Sequence, residues 1–66
     1  MKNKVREARV QKGWSQSDLA AQTSVSRQSI YAVEAGKYVP TTILALKLAQ
    51  ALEQPVEALF LLEADD

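Results

Sequence analysis

Cysteine and histidine are both absent from the 66 residues. Disulfides, thiolate metal sites and imidazole acid–base chemistry are therefore excluded as ways to staple or activate this chain. Glycine and proline number two each, so helix breakers are scarce. No apolar run approaches the roughly 20 residues that span a bilayer. The opening MKNKVREARVQKG lacks the apolar segment of a secretory signal. The expectations are a cytoplasmic location, no membrane contact, no metal and no cofactor. What the chain does have is 47% hydrophobic residues, enough for a compact fold, in a length that suits one domain over residues 1–66.

Net charge is zero, but the charges are sorted along the chain. Residues 1–47 hold all eight Lys and Arg against three acids, Glu7, Asp18 and Glu34, a balance of +5. Residues 48–66 hold five acids and no base, a balance of −5. A domain polarised in this way can turn a basic face to phosphate while its other end repels it.

The breakers fall where helices should start and stop. Good helix formers run from Lys2 to Lys12 and end at Gly13. Ser15, with Asp18 three residues on, forms a capping-box pattern opening a second helix with Leu19, Ala20 and Thr23 inward. Ser26 caps a third that reaches Gly36, with Ile30, Val33 and Glu34 on its inner face. Pro40 enforces a loop from Lys37. Thr41 or Thr42 then caps a fourth helix, whose Leu44, Ala45, Leu48, Ala49 and Leu52 fit a 3.6 period. Pro55 suits the first turn of a short fifth helix with Val56, Leu59 and Phe60 on one side. The sequence thus predicts an all-α fold of five short helices; a short pairing between residues 2–4 and 61–63 is compatible with it.

The stretch QTSVSRQS, residues 22–29, is the informative connection. A flexible linker would leave Val25 idle, whereas a turn at Thr23–Ser24 that buries Val25 and caps the next helix with Ser26 uses every residue. So short a turn forces the second and third helices to cross steeply while in contact.

From SQSDLAAQTSVSRQSIYAVEAGKYVP, residues 15–40, the chain resembles the Cro and phage-repressor (Xre-like) transcriptional regulators. Gln16, Leu19, Ala20, Val25, Ile30, Val33, Glu34, Gly36–Lys37 and Pro40 carry the match, and it extends over about residues 4–60. The resemblance implies a lambda-repressor-like DNA-binding domain with its helix-turn-helix at residues 16–35. The chain departs from the family pattern at Ser24 and Glu53, where glycine is common, and at Thr42–Ile43, which look exchanged and would turn Ile43 outward.

On this reading Arg27 and Gln28, at the start of the third helix, contact bases. Arg pairs bidentately with guanine and Gln with adenine, and a helix about 15 Å long fits a major groove roughly 12 Å wide. Solvated polar residues on an exposed face are the plain alternative. Tyr31 and Ala32 lie one turn on and are further base-contact candidates, although Tyr31 also suits an aromatic that covers the helix flank. Gln16, Ser26, Lys37 and Tyr38 are candidate phosphate contacts, with Ser26 also explained as a cap. Arg9 and Glu34 are opposite charges on otherwise apolar faces, and the resemblance pairs them structurally. Trp14 is expected to seal the junction of the first two helices.

Ile43, Leu46, Phe60, Leu61 and Leu62 supply more apolar surface than five short helices need, and they predict a homodimer through the C-terminal third. The implied partners are double-stranded DNA and a second copy, with no small-molecule effector expected. The function that follows is a sequence-specific regulator, a repressor on a two-fold operator. The competing class is a protein-interaction module, such as an antitoxin or docking adaptor using the acidic, leucine-ended tail. An enzyme is not expected, because no nucleophile–base set and no Gly-rich phosphate loop is present.

Overall fold

Ser15 fixes where the second helix begins. Its hydroxyl accepts from the Asp18 N–H at 3.0 Å, and the Asp18 carboxylate accepts from the Ser15 N–H at 2.8 Å, so two otherwise orphaned donors are satisfied reciprocally. The Ser26 and Thr41 hydroxyls likewise accept from the Ser29 and Leu44 N–H groups, as simple caps without the returning bond. The computed structural model describes residues 1–66. Its elements are strand β1 (Lys2–Asn3), helices α1 (Val5–Gln11), α2 (Gln16–Thr23), α3 (Arg27–Glu34), α4 (Thr42–Leu52) and α5 (Val56–Leu59), and strand β2 (Phe60–Leu61).

The four longer helices also end alike. After each, a residue turns left-handed and the next N–H reaches back five residues: Trp14 to Arg9, Val25 to Ala20, Lys37 to Ala32 and Gln54 to Ala49, at 3.0 to 3.2 Å. Gly13 and Gly36 adopt the positive φ without a steric cost. Ser24 (φ 58°) and Glu53 (φ 56°) adopt it with a Cβ attached, at the two positions where the sequence departs from glycine.

Packing follows from the inward stripes. Val5 and Ala8 of α1, Leu19 and Ala20 of α2, Ile30 and Val33 of α3, Leu44, Leu48 and Leu52 of α4 and Leu59 of α5 form one buried cluster. Trp14, Val25 and Phe60 pack on it from its margins. Thr23 is the one buried polar residue, and its hydroxyl donates to the Leu19 carbonyl at 2.8 Å. Val25 is half-buried and plugs the α2–α3 turn as expected. Helices α2 and α3 pack in contact, and α4 packs against α2.

Three boundaries differ from expectation. α1 starts at Val5 and not Lys2, because Lys2–Asn3 pair antiparallel with Phe60–Leu61 and the Lys4 N–H donates to the Leu59 carbonyl. α3 ends at Glu34, before Gly36. Pro55 is the N-cap of α5 and lies outside its first turn, while Phe60 leaves that helix for β2.

Left-handed backbone costs a non-glycine residue about 1–2 kcal/mol, and the Ser24 side chain makes no hydrogen bond that would offset it. Ser24→Gly is therefore expected to stabilise the fold by about 0.5–1 kcal/mol after the greater unfolded-state entropy of glycine is deducted. That corresponds to a melting temperature a few degrees higher. A calorimetric scan showing an unchanged or lower midpoint would contradict this account of the turn.

Candidate nucleic-acid interface

α3 owes its orientation to one buried ion pair. Arg9 of α1 donates from Nε to Glu34 Oε2 at 2.7 Å and from Nη2 to Oε1 at 3.1 Å, a two-bonded fork. Its Nη1 donates to the Trp14 carbonyl at 2.8 Å, and Gln16 Nε2 donates to Glu34 Oε1 at 3.2 Å. The side chains are 11% and 4% exposed. Hydrogen bonding to Glu34 holds the Arg9 guanidinium above its ordinary pKa, against the opposing effect of burial. The last turn of α3 is thereby tied to α1 and to the start of α2. A second tie comes from Asn3, whose amide donates to the Val33 carbonyl at 2.8 Å.

With its C-terminal end held, α3 presents its other face outward. Arg27 and Gln28 are exposed on its first turn and engage in none of the chain's ion pairs or side-chain hydrogen bonds. The Ser26 hydroxyl accepts from the Ser29 N–H at 3.1 Å and shares a 2.9 Å hydrogen bond with the Ser29 hydroxyl, so capping already occupies it. Tyr31 is 50% exposed, with Lys37 Nζ 5.8 Å from its ring centroid, so the α3 flank and the following loop behave as one surface. Ala32 is half-buried, and Tyr38 is exposed in the loop.

Two shallow clefts flank the helix. Arg27, Tyr31 and Gln16 share one with Arg6, Arg9 and Glu34. Gln28, Ser26 and Ala32 share the other with Ser29 and Tyr38. The α3 segment is eight residues, about 12 Å by its rise, close to the width of a major groove. Gln16 is brought to this surface but is partly committed to Glu34, leaving its second amide hydrogen and its carbonyl free. Arg6 was not among the residues singled out from the sequence. Only its place one turn before Arg9 on α1 signalled that it lies beside the same cleft.

The proposed dimer residues lie elsewhere. Ile43, Leu46 and Leu62 are 69%, 56% and 83% exposed, and Leu61 stands at the edge of β2. Phe60 is half-buried against the core and, with Leu46, Pro40 and Val56, lines an apolar groove of about 250 Å³. No group of acidic, His or Cys side chains is arranged to hold a metal, and no helix is long and apolar enough to cross a membrane.

Sequence and structure comparisons establish the family. A family model described as helix-turn-helix matches residues 5–59. The chain belongs to the Xre/Cro-like helix-turn-helix family of transcriptional regulators, with the lambda-repressor-like fold. It is 44% identical to the HTH-type transcriptional regulator YgzD of Bacillus subtilis over the whole of both chains. It is 42% identical to an HTH-type transcriptional regulator of Methanocaldococcus jannaschii, again over the whole of both. Among solved structures it resembles the restriction-modification controller protein C.AhdI of Aeromonas hydrophila, with a TM-score of 0.79 and 38% identity over 85% of each chain. It also resembles the hypothetical transcription factor NHTF of Neisseria, with a TM-score of 0.77 and 35% identity over 82% of this chain and 61% of that one.

Removing one partner of a buried pair leaves the other charge uncompensated, at a cost of about 3–5 kcal/mol. A domain of this size has about that much stability in total. Glu34→Ala is therefore expected to leave the protein largely unfolded at room temperature, read by far-UV circular dichroism in a urea titration. A midpoint equal to that of the wild type would mean that the pair does not hold α3 in place.

Proposed function

We propose that the protein is a sequence-specific repressor that occupies a two-fold DNA operator as a homodimer, each subunit laying α3 in the major groove. The reading rests on one observation: Arg27 and Gln28 stand exposed and unpaired on the first turn of a helix whose far end is locked by Arg9 and Glu34. Groups able to pair bidentately with guanine and adenine are thus carried on a rigid rod. Gln16 and Lys37, on the Tyr31 side of α3, and Tyr38, on the Gln28 side, would hold phosphates along the groove, fixing register without reading sequence. Ser26 contributes through its cap, Tyr31 through its ring face, and Ala32 through a methyl group suited to a thymine methyl. A DNA-binding regulator of this kind works in the cytoplasm.

The exposed Ile43, Leu46 and Leu62, with the apolar groove beside Phe60, support a self-complementary interface on the C-terminal side. Large exposed apolar side chains gathered in one region mark an association surface. The acidic end then lies towards the dyad. Two-fold symmetry in turn sets half-sites about 34 Å apart, one duplex turn.

Arg27→Ala should cost about 1–3 kcal/mol on the operator and relax the preference at one base pair in each half-site. Lys37→Ala should weaken all sequences alike and lower the salt slope by about one per subunit. Selection of bound duplexes from a random pool, followed by anisotropy titrations, distinguishes the two. Equal losses on operator and random DNA for Arg27→Ala would make it a phosphate clamp and overturn the base assignment.

Leu46→Asp, or a Leu61→Asp and Leu62→Asp double variant, should yield monomers with unchanged helicity. Sedimentation velocity at micromolar concentration tests this, and a wild type that already sediments as a monomer removes the dimer from the mechanism.

A further inference from the structure

We infer that Arg6 is a phosphate-gripping residue that extends the DNA contact surface from the helix-turn-helix onto α1. The inference rests on the DNA-binding reading above and adds a contact that lies outside residues 16–38.

Three features of the cleft between α1 and α3 carry it. The cleft is lined by Arg6, Arg9, Gln16, Arg27, Tyr31 and Glu34, so Arg6 and the first turn of the recognition helix face one space. Its one carboxylate, Glu34, already accepts two hydrogen bonds from Arg9 and one from Gln16, and its side chain is 4% exposed. Three of its roughly four acceptor positions are thereby filled, and Arg6 makes no bond to it. Arg6 is an exposed member of α1 and takes part in none of the chain's four ion pairs. Glu7, its neighbour, is one position away on the helix, a spacing at which side chains do not face each other.

The free charge of this cleft is therefore two guanidinium groups, Arg6 and Arg27, on elements fixed relative to each other by the Arg9–Glu34 fork. Arg9 is three residues from Arg6, so the anchor of the frame lies one turn along the same helix. A guanidinium with no internal acceptor presents a fork of donors that matches a phosphodiester oxygen pair. With α3 in the groove and Gln16 against the flanking backbone, the anion available to Arg6 is a phosphate of that same strand. Arg6 thereby sets position and strength of binding and carries no base information.

The test compares wild type, Arg6→Gln and Arg6→Lys on the selected operator and on a random duplex across a salt series, with thermal melts of each protein. One lost phosphate contact lowers the slope of log affinity against log salt by about 0.9 per subunit, which at 0.15 M salt is about fivefold in affinity per subunit. Arg6→Gln is expected to show that loss equally on both duplexes, with an unchanged melting temperature. Arg6→Lys should restore the slope, since the charge is kept, while recovering only part of the affinity. A wild-type slope in Arg6→Gln overturns the inference, as does a loss confined to the operator. If the wild type itself shifts neither duplex, the DNA-binding reading falls first and this inference falls with it.

Discussion

The fork between Arg9 and Glu34 is the interaction on which the geometry of this small domain depends. It joins the first helix to the last turn of the third, and through Gln16 and the Trp14 carbonyl it reaches the start of the second. An apolar pair in the same place would hold the helices together with less control over their rotation. A planar guanidinium meeting a carboxylate edge-on tolerates little rotation, so it fixes which face of α3 points out. Burying two charges is costly, and such a pair adds little or no net stability over well-packed apolar side chains. Here it sits beside a surface whose use requires one orientation of one helix. The same bonds engage the one acid of that cleft, and Arg6 and Arg27 form no ion pair with it.

Much of the fold was legible in residues whose local chemistry admits one outcome. The Ser15–Asp18 capping box, the Ser26 cap and the glycines after α1 and α3 each mark a helix end by satisfying or freeing particular backbone groups. The Arg9–Glu34 pair was legible because two opposite charges interrupt apolar stripes. What the sequence allowed without requiring, as with a pairing of residues 2–4 and 61–63, or did not reveal at all, was set by non-local partners. Lys2–Asn3 have nothing in their own sequence that favours strand; they are extended because Phe60–Leu61 lies alongside, and α1 shortens as a result. Phe60 reads as the last apolar residue of a helix, but the same pairing pulls it out and leaves it between core and groove. Arg6 escaped notice for the same reason: a lone arginine in VREARVQ is indistinguishable from any solvated helix residue until α3 is placed beside it.

Net charge is a poor guide to partners for a chain built this way. Of the eight basic residues, Arg9 is neutralised inside the fold by Glu34, and Lys12 is paired with Glu53, whose carboxyl it holds below the usual range mainly by hydrogen bonding. Arg6, Arg27 and Lys37 remain unpaired around α3. At the other pole, Glu63 and Asp66 are drawn to the terminal ammonium of Met1, which they hold above its ordinary pKa. A neutral sum thus conceals a dipole. On the proposed reading, the basic residues around α3 favour a duplex approaching that face, an effect on encounter rate that salt removes.

Magnitudes also explain why the proposed reading needs two subunits. Each good bidentate pair between a side chain and a base discriminates by about 1–3 kcal/mol, so Arg27 and Gln28 together supply about 2–6 kcal/mol. Specific sites are distinguished from bulk DNA by about 4–10 kcal/mol, of which one subunit reaches only the lower part, and only in the upper half of its own range. Both side chains are also free before binding, and ordering each long rotamer-rich chain costs up to about 1.5–2 kcal/mol. On that reading one subunit would grip DNA through its phosphate contacts and discriminate weakly. Joining two through the exposed apolar side chains on α4 and the C-terminal residues doubles the base readout without enlarging the domain. On the proposed reading those hydrophobic residues and α3 belong to one mechanism: an apolar surface that pairs two subunits is what makes Arg27 and Gln28 of each sufficient.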